Sequence, residues 1–283
     1  MQGERPMLKL FAAHNSICTQ KVFLTLIEKG LPWTSEYIDL FNNEQYRPEY
    51  LKLNPKGVVP TLIHEGRPII ESTLICEYLD QTFPEPSLVP APAFDRAQMR
   101  RWSKHIDEGV FEATREISFS AMFRDKMKGM TQEQRDGRYR NIGDPGRRAR
   151  MLSTYELGCA SPFVAQGIFA FERMFGEMEE ALSDHRPWLV GQNFSLADVN
   201  VMPFVARLDY LAILDIWIND RSLVADWWQK AKGRPSFAGA IAKLLKEDQI
   251  GAMAESGGRL KTEIAATHAE IVVARRSALG GAA

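Results

Sequence analysis

Residues 11–21, FAAHNSICTQK, bring Ser16, Cys18 and Thr19 together within four positions where a helical pattern begins. Hydroxyls and a thiol at the amino end of a helix support two kinds of chemistry. They can stabilise a bound anion, or Cys18 can itself attack as a thiolate. A free thiol titrates at about 8.5, so a sulfur that reacts near neutrality needs help. Lowering its pKa by about two units takes roughly 2.7 kcal/mol. A hydrogen bond to a charged group supplies about 1.5–3 kcal/mol, and a helix amino end ~0.3–1 kcal/mol. One hydroxyl is therefore enough in magnitude. Plain capping by Asn15 or Ser16 uses the same geometry and is compatible with it. Cys18 has no C-x-x-C partner.

A second pair of this kind is Glu71-Ser72, which opens another helix directly after a strand. Ser72 is expected as the N-cap, and a helix amino end is also an anion site. Pro60 opens a strand although it cannot donate to a sheet ladder. Lys56 stands in the turn before it, either as a solvated turn lysine or as a contact for an anion.

These groups must be positioned by a small sheet. Leu8–Ala12 suits a strand, and the helix from Ser16 has Val22, Leu26 and Ile27 on one face and ends at Gly30 and Pro32. Trp33–Leu40 alternates as a second strand. A turn at Asn54–Gly57 precedes strands near Pro60–His64 and Pro68–Ile70, joined at Glu65-Gly66. A helix from Glu71-Ser72 to about Phe83 turns Leu74, Ile75, Tyr78 and Leu79 inward. The order is βαβ–ββα, an α/β domain over residues 7–84.

Residues 85–95 belong to a linker stiffened by Pro84, Pro86, Pro90 and Pro92. An all-helical domain is expected from 96 to 250. In it Met99, Trp102, Ile106 and Val110 share a face, and Phe163–Leu182 and Leu196–Leu214 form further helices, the last central. Residues 131–150 carry six arginines and three glycines and are expected as a solvated insertion, either a surface loop or a basic lip over the site. Residues 251–283 are expected as a C-terminal surface tail, helical with a frayed end.

With 283 residues and a formal net charge of −1, nothing draws the whole chain to nucleic acid or acidic membranes. Three separated cysteines argue for a reducing compartment, and five scattered histidines assign no metal. The start MQGERPMLKLF has no apolar leader. A cytoplasmic protein is expected.

The fold order and three motifs resemble the glutathione S-transferase family: Val59-Pro60-Thr61 at the place of its cis-proline, Glu71-Ser72 after a strand, and Asn193-Phe194-Ser195-Leu196-Ala197-Asp198 starting the central helix. The chain is most similar to the bacterial glutathione-dependent β-aryl etherases that cut lignin-derived ethers. The stretches ESTLICEYLDQTFPE, AQMRRWSKHIDE and the Arg-containing insertion carry that likeness, which runs from Leu8 to about Leu245. It implies a thioredoxin-like N-terminal domain, an all-helical C-terminal domain and a homodimer.

The resemblance also implies glutathione as co-substrate, without a metal. Its γ-glutamyl carboxylate would sit at Ser72 and its ammonium at Glu71. The cysteinyl backbone would pair with Val59 beside Pro60, and the glycine carboxylate with Lys56. Counted back from Leu31-Pro32, Ser16 falls where serine-type members carry the activating hydroxyl. Aligned instead from Leu8-Lys9-Leu10, Cys18 and Thr19 approach the sulfur, so the three remain open. The electrophile is expected between the domains, against Trp102, His105, Ile106, Phe119, Met122 and Phe123, although such a stripe is also ordinary core. The implied reaction is SN2 attack of the thiolate on the carbon bearing an aryloxy group, releasing a phenol. A general detoxifying transferase, a thiol reductase or peroxidase acting through Cys18, and a non-catalytic binding module are the alternatives.

Overall fold

The computed structural model describes residues 8–280. Residues 1–7, including the start read above as lacking a leader, and residues 281–283 of the expected tail lie outside the described residues. The chain divides into two compact units. One comprises residues up to Ser103 with Arg186–Pro203 and Gln229–Lys246; the other comprises Lys104–His185, Phe204–Trp228 and the residues from Glu247.

In the first unit, β1 (Leu8–Ala12), α1 (Ile17–Glu28), β2 (Trp33–Tyr37), a short α2 (Pro48–Leu51), β3 (Thr61–His64), β4 (Arg67–Ile70) and α3 (Ser72–Thr82) follow in order. The sheet runs β2-β1-β3-β4. β1 is parallel to β2 and antiparallel to β3, and β3 is antiparallel to β4. This is the expected mixed βαβ–ββα sheet. β2 stops at Tyr37 rather than Leu40, because the Asp39 carboxylate accepts from the Phe41 and Asn42 amides and turns the chain.

The inward face of α3 is Ile75, Cys76 and Leu79, all fully buried; Leu74, expected inward, is 59% exposed. It lies a 100° step from Ile75 around the helix, on the outer side. The two helices are tied by Lys29, whose ammonium lies 2.7 Å from Asp80 and 2.7 Å from the Pro86 carbonyl. Asp80 also accepts from the Leu88 amide, which fixes the start of the Pro-rich connection. Glu28 at the end of α1 receives Arg234 through two 2.7 Å bonds, and that guanidinium lies over the Phe194 ring. α4 (Ala93–His105) begins within the stretch expected as linker. The capping motif forms as expected: Asp198 accepts from the Ser195 and Leu189 amides, and α10 (below) starts at Leu196.

In the second unit, a π-helical turn at Ile106–Val110 leads into α5 (Phe111–Ser118), and a second at Phe119–Phe123 into α6 (Arg124–Lys128). Then come α7 (Gln132–Arg140), α8 (Pro145–Leu157), α9 (Pro162–Ala181), α10 (Leu196–Tyr210), α11 (Asp215–Ile218), α12 (Ser222–Lys232), α13 (Pro235–Ala240) and α14 (Glu247–Gly280); α10 up to Pro203, α12 from Gln229, and α13 belong to the first unit.

Residues 131–150, expected as a solvated insertion, stay largely exposed but hold α7 and the start of α8, so the surface-loop reading is corrected to two helical segments. Thr131 and Gln134 form a capping box, and Asp144 caps α8 with Pro145 in its first turn. The segment is also anchored: Tyr139 and Ile142 are buried in a cluster with Phe119 and Met127. The stretch expected as a surface tail is packed on one side as well. Met253 and Ile264 of α14 are buried. A Cβ on Gly257 would stand 2.0 Å from the Leu211 carbonyl oxygen, so only glycine allows that approach. Glu172 of α9 holds the helix further along, accepting from His268 at 2.7 Å and Arg221 at 2.6 Å. Burial alone would raise the Glu172 carboxyl, but these partners hold it below the ordinary range. Trp217, Trp227 and Trp228 are core.

Candidate functional site

Ser16 is the N-cap of α1. It has extended backbone (φ −84, ψ 119), and its hydroxyl oxygen accepts from the Thr19 amide at 3.3 Å. A serine oxygen that accepts one N–H still has its own proton to donate. Capping therefore leaves a donor at the positive end of a twelve-residue helix. Ser16 and Cys18 are half-buried, whereas Thr19 has no exposed surface. The Thr19 hydroxyl is enclosed with no hydrogen-bond partner among the described residues. The three residues that the sequence left open thus stand in different surroundings.

The end of α3 is built differently. Glu71, not Ser72, occupies the cap position, so the expected serine cap is corrected; Ser72 is the first helical residue. Glu71 has φ +69 and ψ 108 and makes no side-chain cap bond. A non-glycine residue at such a φ is costly and is held only where the surroundings fix it. The first intrahelical bond runs from the Ile75 amide to the Glu71 carbonyl, so the Ser72 amide has no helical carbonyl to meet. That is the electrostatic form of an anion site.

Between these two ends the Val59–Pro60 bond is cis, and the segment around it is gripped from one side. The Tyr50 hydroxyl donates to the Val58 carbonyl at 2.6 Å and lies 2.9 Å from the Thr61 hydroxyl; the Asn54 amide reaches the same two groups at 2.9 and 3.1 Å. Gly57 takes φ +58 over the Tyr46 ring, where a Cβ would stand 2.7 Å from a ring carbon. Lys56 pairs with Glu71 at 2.6 Å, although the resemblance assigns them to opposite ends of one ligand. Both are exposed, and such a pair is worth about 1 kcal/mol or less, so it exchanges partners cheaply.

Sequence reasoning passed over Lys21 and Thr73. The Lys21 ammonium is fully buried and donates to the Thr73 hydroxyl at 2.7 Å. A lysine on a helix is ordinarily solvated, so nothing in the pattern marked it.

Of the residues expected around the electrophile, Trp102 belongs to the first unit and His105, Ile106, Phe119, Met122 and Phe123 to the second. Trp102, His105, Ile106 and Phe119 are buried; Met122 and Phe123 are half-buried. Ile106 opens one π-helical turn and Phe119–Phe123 make up the other; such turns recur at functional sites. His105 Nδ1 lies 2.8 Å from an Arg173 guanidinium nitrogen. A guanidinium only donates, so Nδ1 accepts and the neutral ring carries its proton on Nε2.

Residues 10–87 match the N-terminal domain of glutathione S-transferases, and residues 163–232 match their C-terminal domain. Protein LigF of Sphingobium sp. (strain NBRC 103272 / SYK-6) is 34% identical over 86% of this chain and 96% of its own. The tetrachloro-p-hydroquinone reductive dehalogenase of Sphingobium chlorophenolicum is 25% identical over 82% of this chain and 94% of its own. Among solved structures, β-etherase LigF from strain SYK-6 superposes with a TM-score of 0.74 at 27% identity, over 83% of this chain and 99% of that one. Glutathione transferase F7 of Populus trichocarpa shares the fold, with a TM-score of 0.65 at 23% identity. The chain is a glutathione S-transferase, belonging to the family that uses glutathione as co-substrate.

Proposed function

We propose that this transferase cleaves β-aryl ethers of lignin-derived aromatic compounds, with Ser16 activating the sulfur. The capped α1 end is the observation that carries the sulfur assignment: its hydroxyl oxygen is engaged while its O–H remains a donor. The likeness to Protein LigF over 86% of the chain supports the substrate class.

In the bound state the Ser16 O–H and the amino end of α1 hold the sulfur as thiolate. Val59 aligns the cysteinyl backbone. The Ser72 end of α3 receives the γ-glutamyl carboxylate, Glu71 its ammonium, and Lys56, released from Glu71, the glycine carboxylate. The sulfur lone pair forms a C–S bond while the C–O bond breaks, its electrons leaving with the aryloxide. His105 is the residue proposed to donate to that oxygen, and Phe119, Met122 and Phe123 are those proposed to receive the aromatic rings. Alignment and stabilisation of developing phenolate charge are the chain's own contributions to rate.

Incubation with glutathione and a racemic β-aryloxy ketone tests the reading. Phenol and a glutathione thioether are expected from at least one enantiomer; neither product from either enantiomer refutes etherase activity. A second reading rests on half-buried Cys18 in the first turn of α1 and on the dehalogenase relative. It expects Cys18, oxidised by a peroxide or disulfide substrate that takes up the two electrons, to be resolved by glutathione into a mixed disulfide visible by intact mass.

A further inference from the structure

α1 and its carboxyl-terminal cap bury two lysines and treat them in opposite ways. Lys29 is matched inside the protein by Asp80 at 2.7 Å. Lys21, with no exposed surface, meets only a neutral hydroxyl, that of Thr73 at 2.7 Å, and among the described residues no carboxylate lies within ion-pair distance of it. Burying an ammonium without an anion is costly. Here the cost is raised further, because Thr73 is the second residue of α3 and the ammonium stands behind a helix end that is itself positive. An apolar side chain of similar volume would remove both penalties. An anion on the far side of the same turn reverses both. The charge is felt in that compartment: burial pushes the Cys76 thiol up to about 11, and Lys21 draws it partly back.

We propose that Lys21 is a positioning residue for the ligand's carboxylate: held through Thr73 behind the first turn of α3, its ammonium supplies the positive charge that fixes the γ-glutamyl carboxylate at Ser72. It acts through Thr73 and the turn, without touching the ligand. The inference rests on the glutathione reading above and names one determinant of its specificity.

The test is calorimetric titration of the full chain with glutathione and with 4-aminobutyryl-cysteinyl-glycine, which lacks only that carboxylate. Unmodified protein is expected to prefer glutathione. Lys21→Met is expected to weaken glutathione about 10-fold, the coupling of one nearby charge pair, and the analogue by less than about 3-fold. Lys21→Arg is expected to stay within about 3-fold of the parent for both. Equal weakening of both ligands, or of neither, overturns the inference and leaves the glutathione site standing. If the unmodified protein binds neither ligand, or both equally, the reading of the site itself fails, and the inference with it. Should Lys21→Met not fold, as judged by circular dichroism, Thr73→Val decides: selective weakening of glutathione supports the proposal, and equal weakening or none refutes it.

Discussion

The amino ends of α1 and α3 start from the same cue, a serine where a strand gives way to a helix, and become different devices. At α1 the serine is the cap, its oxygen bound to the Thr19 amide at 3.3 Å and its proton left to give. At α3 the serine lies inside the helix, the cap is a glutamate at φ +69, and backbone amides face outward. A hydroxyl donor suits a single polarisable atom such as sulfur. An open turn of amides suits a carboxylate with two oxygens. The lesson is that one residue of register at a helix start decides which group the end can hold.

The largest effect is expected where the two helices are disturbed together, at the tie between their carboxyl ends. Asp80→Ala leaves the Lys29 ammonium buried without its carboxylate and should lower stability by about 3–5 kcal/mol in chemical denaturation. A loss under about 1 kcal/mol would mean the α1–α3 tie matters little to holding the two helices together.

Ser16→Ala should reduce kcat/KM for glutathione conjugation about 100-fold, the cost of removing one preorganised donor, while Ser16→Thr keeps most of it. The accompanying loss of the cap should cost about 1 kcal/mol in thermal unfolding.

Glu71→Gly separates affinity from stability. Removing a side chain from φ +69 should stabilise the fold by about 1 kcal/mol. Losing the ammonium partner should raise the dissociation constant for glutathione about 10-fold. Both changes in one direction would break the contrast drawn between the two ends.

Smaller still is Thr19→Val, which replaces an enclosed hydroxyl without a partner by a methyl group of like shape. Activity should stay within about 2-fold and stability should be unchanged or raised by up to about 1 kcal/mol. Cys18→Ala should leave most turnover; a loss matching Ser16→Ala would transfer the sulfur role to Cys18.

How much of this was legible follows from the range of the interactions. The order of elements came from local alternation and turn residues such as Asn54–Gly57 and Glu65-Gly66, and it formed as read. The central helix was marked by Ser195 and Asp198, three residues apart. Residues 131–150 are largely exposed as read, but their helices were missed because six arginines outweighed the capping signals at Thr131 and Asp144. The anchors Tyr139 and Ile142 are isolated in the sequence and meet their partners only in the fold. At the site, Ser16 and Ser72 were visible, but the shift of the α3 cap to Glu71 is a backbone property no side-chain pattern carries. Lys21 was invisible because its burial depends on α3, fifty-two positions away at Thr73.

The central claim is that the capped end of α1 keeps a bound sulfur ionised near neutrality. It is tested most directly by titrating the ultraviolet thiolate absorbance of glutathione bound to the unmodified protein and to Ser16→Ala. The account expects half-ionisation about two units below the ordinary thiol value of about 8.5 in the former, with most of that shift lost in the latter. Bound glutathione that stays protonated at pH 7, or two proteins that titrate alike, would contradict it.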